Sequence, residues 1–130
     1  MTFTPQRVDA NLSVAAQLQP EDMPALVAAG FRSVINNRPD SEGSHSQPAS
    51  AQLEAAARDA GLDYRYVPVP PAGHTSEQAS SMAAAVEALP KPVLAFCRTG
   101  RRSAALYRMK AGHPAIQMPA IDAVSLLPQR

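Results

Sequence analysis

One short segment carries the residues best suited to covalent chemistry, the sequence Cys-Arg-Thr-Gly-Arg-Arg-Ser at positions 97–103. Cys97 is the single cysteine of the chain, so it has no partner for an internal disulfide. It follows the apolar run 93–96 and precedes a stretch of helical composition. Backbone N–H groups at a helix N-terminus lack partners within the helix and therefore attract anions. The segment is predicted to be a loop that binds a small anion beside a thiol.

The residues of this loop have distinct expected functions. Gly100 supplies the positive φ of a tight turn, and the amides of residues 98–103 surround the anion. The amides, the helix dipole and the nearby arginines lower a thiol pKa, so Cys97 is predicted to be a thiolate nucleophile. Arg102 offers a bidentate fork to substrate oxygens, and the hydroxyl of Ser103 caps the helix or binds the thiolate. The other predicted anion-binding residues are Arg98, Thr99 and Arg101. Most free cysteines are buried fillers, but this combination of glycine and arginines favours catalysis.

The elements that position this loop can be read from the hydrophobic pattern. Four apolar or β-branched runs, near residues 12–16, 31–36, 62–69 and 93–96, alternate with helical patterns. This order predicts an α/β fold with a mostly parallel sheet of about four strands and helices on both faces. Ligands bind beyond the carboxyl ends of such strands. The segments around residues 17, 36–40, 68–74 and 97–103 are therefore expected to meet at one crevice.

Four residues of that crevice are candidates for assisting the reaction. Asp40 or His74 could be a general acid, and Asn36 or Arg38 could orient the substrate anion. Each also has a structural explanation: Asp40 forms a turn, His74 precedes a helix cap, Asn36 satisfies loop backbone groups and Arg38 is solvated. The polar segment 37–47 is expected to be exposed.

Composition narrows the possible partners. A net charge of +1 gives no reason to expect nucleic acid or an anionic membrane, whereas five basic residues and no acidic one between 98 and 110 favour a small anion. The predicted substrate is a small oxyanion or, for the sulfur-transfer reaction considered below, a sulfane-sulfur compound. The histidines lack metal-ligand spacing, so neither a metal nor a cofactor is predicted. The chain shows no signal-peptide pattern and no run near the ~20 apolar residues of a membrane helix, so a cytoplasmic location is expected. Its 130 residues are expected to form one domain.

Four separated segments resemble a known family over residues 11–107, the phosphatase-like domain of the bacterial beta-lactamase-hydrolase-like proteins. They read LSVAAQLQPED, AAGFRSVINNRPD, AGLDYRYVPV and CRTGRRSAAL. The resemblance implies a dual-specificity-phosphatase-like fold, with Cys97 as nucleophile and Arg102 as anion-binding arginine. It also implies a role in sulfide or persulfide metabolism, with a metallo-β-lactamase-fold sulfur dioxygenase as a partner in the same pathway. The chain departs from the family after Tyr107, and residues 113–130 are predicted to form a shortened, atypical tail.

The spacing within the loop bears on the reaction. Cysteine phosphatases carry five residues between nucleophile and arginine, whereas four separate Cys97 from Arg102, as in rhodanese-type sulfurtransferases. A smaller cradle suits a persulfide sulfur, and sulfite leaves without a general acid. Sulfur transfer through a Cys97 persulfide is therefore the first hypothesis. Phosphate-monoester hydrolysis through a phosphocysteine is the alternative, and a non-catalytic anion-binding, persulfide-binding or redox-sensing module is a third.

Overall fold

The computed structural model describes residues 4–43, 46–72 and 74–110, which form one sheet between two layers of helices. The strands are β1 (Gln6–Arg7), β2 (Leu12–Ala15), β3 (Ser33–Asn36), β4 (Asp63–Tyr66) and β5 (Val93–Phe96). The helices are α1 (Met23–Ala28, after a 3-10 turn at Pro20–Asp22), α2 (Ser50–Asp59), α3 (Ser76–Ala88) and α4 (Arg101–Lys110). The strand order is β1-β2-β5-β3-β4, in which only the β1–β2 pair is antiparallel.

The predicted α/β class with a mostly parallel sheet is confirmed, but the described sheet has five strands and not four. The additional strand is β1, whose two residues are both exposed. Such a short, exposed edge strand contains no apolar run, so the hydrophobic pattern gives no sign of it. Its pairing with β2 is fixed by tertiary contact alone.

The central position of β5 follows from its composition. All four of its residues are buried, and it pairs in parallel with β2 on one side and β3 on the other. Because side chains alternate along a strand, Val93 and Ala95 pack toward α3 and α4, whereas Leu94 and Phe96 pack toward α1 and α2. A strand buried on both faces explains the continuous apolar run that precedes Cys97.

Local signals set where helices begin. Helix α3 begins with a capping box, a pattern that Thr75 and Gln78 predict from their three-residue spacing: Thr75 Oγ1 accepts from the Gln78 amide at 3.1 Å, and Gln78 Oε1 accepts from the Thr75 amide at 2.8 Å. Helix α4 begins at Arg101, directly after the glycine of the loop, whereas composition predicts a helix only from Ser103 onward. The predicted tail, residues 113–130, lies outside the described residues. In the described part of the chain, no helix has the length and apolar character needed to cross a bilayer.

Candidate active site

Cys97 lies directly after the central strand, at the start of the loop that leads into α4. Its side chain is buried, and its Sγ accepts a hydrogen bond from the Gly100 amide at 2.9 Å. Burial raises the pKa of the Cys97 thiol, but hydrogen bonds from the backbone N–H groups of Ser103, Thr99, Gly100 and Arg102 outweigh burial and lower it below its ordinary value. The amides of the loop therefore converge on the sulfur and favour its thiolate form.

The conformation of this loop depends on a glycine. Gly100 has a φ of +95°, in the region that side-chain-bearing residues rarely adopt. A Cβ placed there would also lie 3.3 Å from the carbonyl carbon and oxygen of Ala15 in β2. Both the turn and the close approach of the neighbouring strand therefore require glycine at this position.

Arg102 is buried and held on two sides. Its Nη1 and Nη2 donate to the two carboxylate oxygens of Glu42, at 2.8 and 3.0 Å, and Nη1 also donates to the Val69 carbonyl at 2.9 Å. These bonds use three of the five guanidinium N–H groups. The Nε–H and the adjacent Nη2–H have no partner among the described residues. Together they form a side-on fork suited to two oxygens of a tetrahedral anion.

Glu42 joins two arginines that come from different parts of the sequence. Besides Arg102, it accepts from Arg38 Nε at 3.3 Å, and Arg38 Nη1 donates to Gln17 Oε1 at 2.9 Å. The hydrogen bond from Arg102 contributes most to lowering the pKa of Glu42, and Arg38 lowers it further. The sequence offered no signal for this function, because Glu42 lies in a polar loop that was predicted to be exposed.

That exposure prediction is wrong for the start of the segment, since Asn37 and Arg38 are buried. Arg38 is therefore not solvated, and it supports Glu42. Asn36 Oδ1 accepts from the Arg38 amide at 2.8 Å and its Nδ2 donates to Tyr64 Oη at 3.1 Å, so its amide group is engaged in holding the loop. Because both side-chain groups of Asn36 have protein partners, the geometry favours its structural explanation.

The two candidate general acids lie in different surroundings. Asp40 Oδ1 accepts from the Ser50 amide at 2.7 Å, at the N-terminus of α2, which favours a structural function. His74 instead lines a cavity of about 450 Å³ that opens beside the Cys97 loop, and we call this cavity the mouth of the loop. Its other lining residues are Glu42, Pro71, Arg98, Thr99, Arg101, Arg102 and Ala105. Its Nδ1 is buried and has no hydrogen-bond partner among the described residues. The structure therefore brings His74, and not Asp40, to the mouth.

Two further observations complete the site. The buried Ser103 hydroxyl has no hydrogen-bond partner among the described residues, so the predicted bond from this hydroxyl to the thiolate is absent and the backbone N–H is used in its place. No group of three or more histidine, cysteine, aspartate or glutamate side chains suited to a metal ion occurs in the described part of the chain. The site combines a thiolate, oriented amides and a guanidinium.

Comparisons with known proteins point to one family. Residues 6–113 match the family described as beta-lactamase hydrolase-like protein, phosphatase-like domain. A beta-lactamase hydrolase-like protein of Agrobacterium fabrum is 37% identical over 101 residues, which cover 78% of this chain and 23% of that protein. The chain thus spans about a quarter of the length of such curated relatives.

Solved structures of known proteins share the fold of this chain. A candidate phosphatase from Neisseria meningitidis superposes with a TM-score of 0.78 at 30% identity, over 88% of this chain and 79% of the other. Pseudomonas aeruginosa TpbA, crystallised with phosphotyrosine, superposes with a TM-score of 0.61 at 18% identity, over 82% of this chain and 63% of the other. The second likeness concerns the fold alone. It extends the match to more distant proteins.

Proposed function

Because this chain belongs to the family of phosphatase-like domains of beta-lactamase hydrolase-like proteins, we propose that it hydrolyses phosphate monoesters through a cysteine nucleophile. The observation that carries the proposal is the pairing of a low-pKa thiolate, Cys97, with the side-on fork of Arg102, to which no described residue is bonded. The amides that stabilise the thiolate can also hold the oxygens of a phosphoryl group. A phosphoryl group has three oxygens that this set of donors can bind.

The reaction proceeds in two displacements. The Cys97 thiolate attacks phosphorus with its electron pair, the S–P bond forms and the ester P–O bond breaks, so that the alcohol oxygen leaves with the bonding electrons. Water then attacks the phosphocysteine, the S–P bond breaks, and inorganic phosphate and the thiolate are released. Throughout, the loop amides and Arg102 stabilise the negative charge on the phosphoryl oxygens.

Proton transfer in this scheme is assigned to His74. An alkoxide is a poor leaving group, so it needs a proton as the ester bond breaks. His74 lines the mouth of the loop, so its imidazolium can donate a proton to the leaving oxygen there. Its Nδ1 has no hydrogen-bond partner among the described residues, so no ion pair or hydrogen bond to that nitrogen competes with this role. The neutral imidazole that results can accept a proton from the attacking water. Asp40 is less suited, because its carboxylate is bonded to the start of α2.

Turnover of an aryl phosphate and mass spectrometry of the trapped intermediate test the proposal. The native protein is expected to release phosphate and to gain one phosphoryl group on Cys97 in a rapid acid quench. Cys97→Ser is expected to abolish turnover, because an alkoxide is barely populated at neutral pH, while keeping affinity for inorganic phosphate. Absence of phosphate release from the folded native protein would contradict the proposed activity.

Sulfur transfer is the second candidate, and one observation favours it, the four-residue spacing between Cys97 and Arg102. In that reaction the thiolate attacks the outer sulfur of thiosulfate, the S–S bond of thiosulfate breaks, and sulfite leaves with the electron pair. The expected product is Cys97 carrying one additional sulfur atom. Intact-mass measurement after incubation with thiosulfate distinguishes the candidates, since a phosphatase that cannot transfer sulfur gains no such mass.

A further inference from the structure

A second groove lies beside the mouth of the catalytic loop, between the edge strand β1 and helix α4. Its volume is about 350 Å³, and three arginines line it: Arg7 from β1, and Arg101 and Arg108 from α4. Arg101 and Arg108 are seven residues apart on one face of the helix, which places them about 10 Å apart along its axis. None of the described residues that line this groove is acidic. We call it the basic groove.

The positive charge of the basic groove is not neutralised within the described part of the protein. None of its three arginines forms an ion pair there, and Arg7 Nε donates only to the backbone carbonyl of Asp9, at 3.2 Å. The nearby Asp9 carboxylate is engaged elsewhere: Oδ1 accepts from the Asn11 and Leu12 amides, and Oδ2 accepts from Tyr107 Oη at 2.8 Å. Three like charges around a concave surface attract anions.

The basic groove adjoins the mouth of the catalytic loop. Thr99, Arg101 and Ala105 line both cavities, so the two lie side by side and a ligand that crosses these side chains can reach both. A phosphoryl group held over Cys97 therefore places the remainder of a substrate beside the guanidinium groups of Arg7 and Arg108. Guanidinium forks bind phosphate and carboxylate oxygens in pairs, and their flexible exposed stems can adjust to the second group.

We propose that the basic groove is a subsite for a second anionic group of the substrate. The substrate is then a phosphate monoester whose alcohol portion carries a further phosphate or carboxylate. Its two anionic groups lie about 10 Å apart, the rise of α4 from Arg101, beside the loop, to Arg108. This deepens the proposed function, because it rests on that function for the identity of the group bound at Cys97. The choice of a small dianionic molecule follows from the two adjacent cavities, which share three lining residues, and from the rise of about 10 Å between Arg101 and Arg108.

Binding of two phosphonates to the native protein tests the subsite without requiring turnover. Hexane-1,6-bisphosphonate and hexylphosphonate have the same chain but differ in the second anionic group. Two equivalent ends give the bisphosphonate a twofold statistical advantage, and the subsite is expected to raise its advantage in Kd to about tenfold. In the double variant Arg7→Gln/Arg108→Gln, the advantage is expected to return to about twofold while hexylphosphonate binding is unchanged.

A matched control separates the subsite from net charge. Arg32→Gln/Arg65→Gln removes the same charge from exposed arginines near β3 and β4, at the other end of the sheet, and is expected to keep the tenfold advantage. The proposal is overturned by a native advantage near twofold, by equal losses in both double variants, or by absence of binding for both compounds. If the bisphosphonate pattern holds but no phosphate ester is hydrolysed, the subsite stands and the proposed activity fails.

Discussion

Replacing Glu42 by glutamine tests whether this carboxylate positions Arg102. Glu42→Gln keeps the size of the side chain but removes the charge that binds Arg102 at 2.8 and 3.0 Å and Arg38 at 3.3 Å. Removing one partner of a fully buried ion pair costs about 3–5 kcal/mol. The Glu42 side chain is 16% exposed, and glutamine retains one acceptor oxygen, so the expected loss of unfolding free energy is smaller, about 2 kcal/mol.

Denaturant unfolding measures this loss, and Glu54→Gln is the matched control. Glu54 pairs with Arg58 on the surface of α2, where the two side chains are 44% and 54% exposed, so the same substitution there is expected to cost less than about 0.5 kcal/mol. Because its arginine partners lower the pKa of Glu42, its contribution to stability is fully present above pH ~4.5 and is lost as the pH falls through the lowered value. The difference between native protein and Glu42→Gln should therefore shrink in acid.

The same variant distinguishes positioning from competition. If Glu42 holds Arg102 so that its side-on fork faces the substrate, Glu42→Gln should lower kcat/KM for an aryl phosphate about tenfold, which corresponds to ~1.4 kcal/mol. If the carboxylate instead occupied the place of a substrate anion, its removal would tighten the binding of inorganic phosphate. Tighter phosphate binding, or equal stability losses in Glu42→Gln and Glu54→Gln, would refute the positioning argument.

Three further substitutions or measurements follow from the site. Arg102→Lys should weaken the binding of inorganic phosphate about tenfold or more in a titration, because the charge is conserved but the planar fork is lost. Unchanged affinity would contradict phosphate binding by the Arg102 fork. Gly100→Ala should lower the unfolding free energy by about 1–3 kcal/mol, because residue 100 has a φ of +95° and the added Cβ would lie 3.3 Å from Ala15. An unchanged denaturation midpoint would argue against this strain. Thiolate absorbance against pH should show a Cys97 midpoint below 9.0, and a midpoint above it would show that burial outweighs the amides. With the pKa lowered, the stability that the thiolate adds is fully present above pH ~9 and is lost as the pH falls through the lowered value.

Local order was largely determined by the sequence. The continuous apolar run of residues 93–96 identified the buried central strand, because only a strand covered on both faces needs apolar side chains on both. The Thr75 capping box marked the start of α3 through contacts between neighbours in sequence. The loop from Cys97 onward was also locally determined, since a strand followed by Gly100 and a helix aligns the amides around one point.

Only the tertiary structure decided which distant groups complete the site. Glu42 is 60 residues from Arg102, and nothing in its polar neighbourhood distinguishes it from a solvated loop residue until the chain folds the loop over α4. The assignment of His74 to the mouth and of Asp40 to the start of α2 depends on the same arrangement. The basic groove forms because Arg7 and Arg108 line the same concave surface. Arg7 lies on an edge strand that is too short to show a hydrophobic period in the sequence. Local patterns record which conformation a segment prefers, whereas these contacts depend on the packing of segments that the sequence separates.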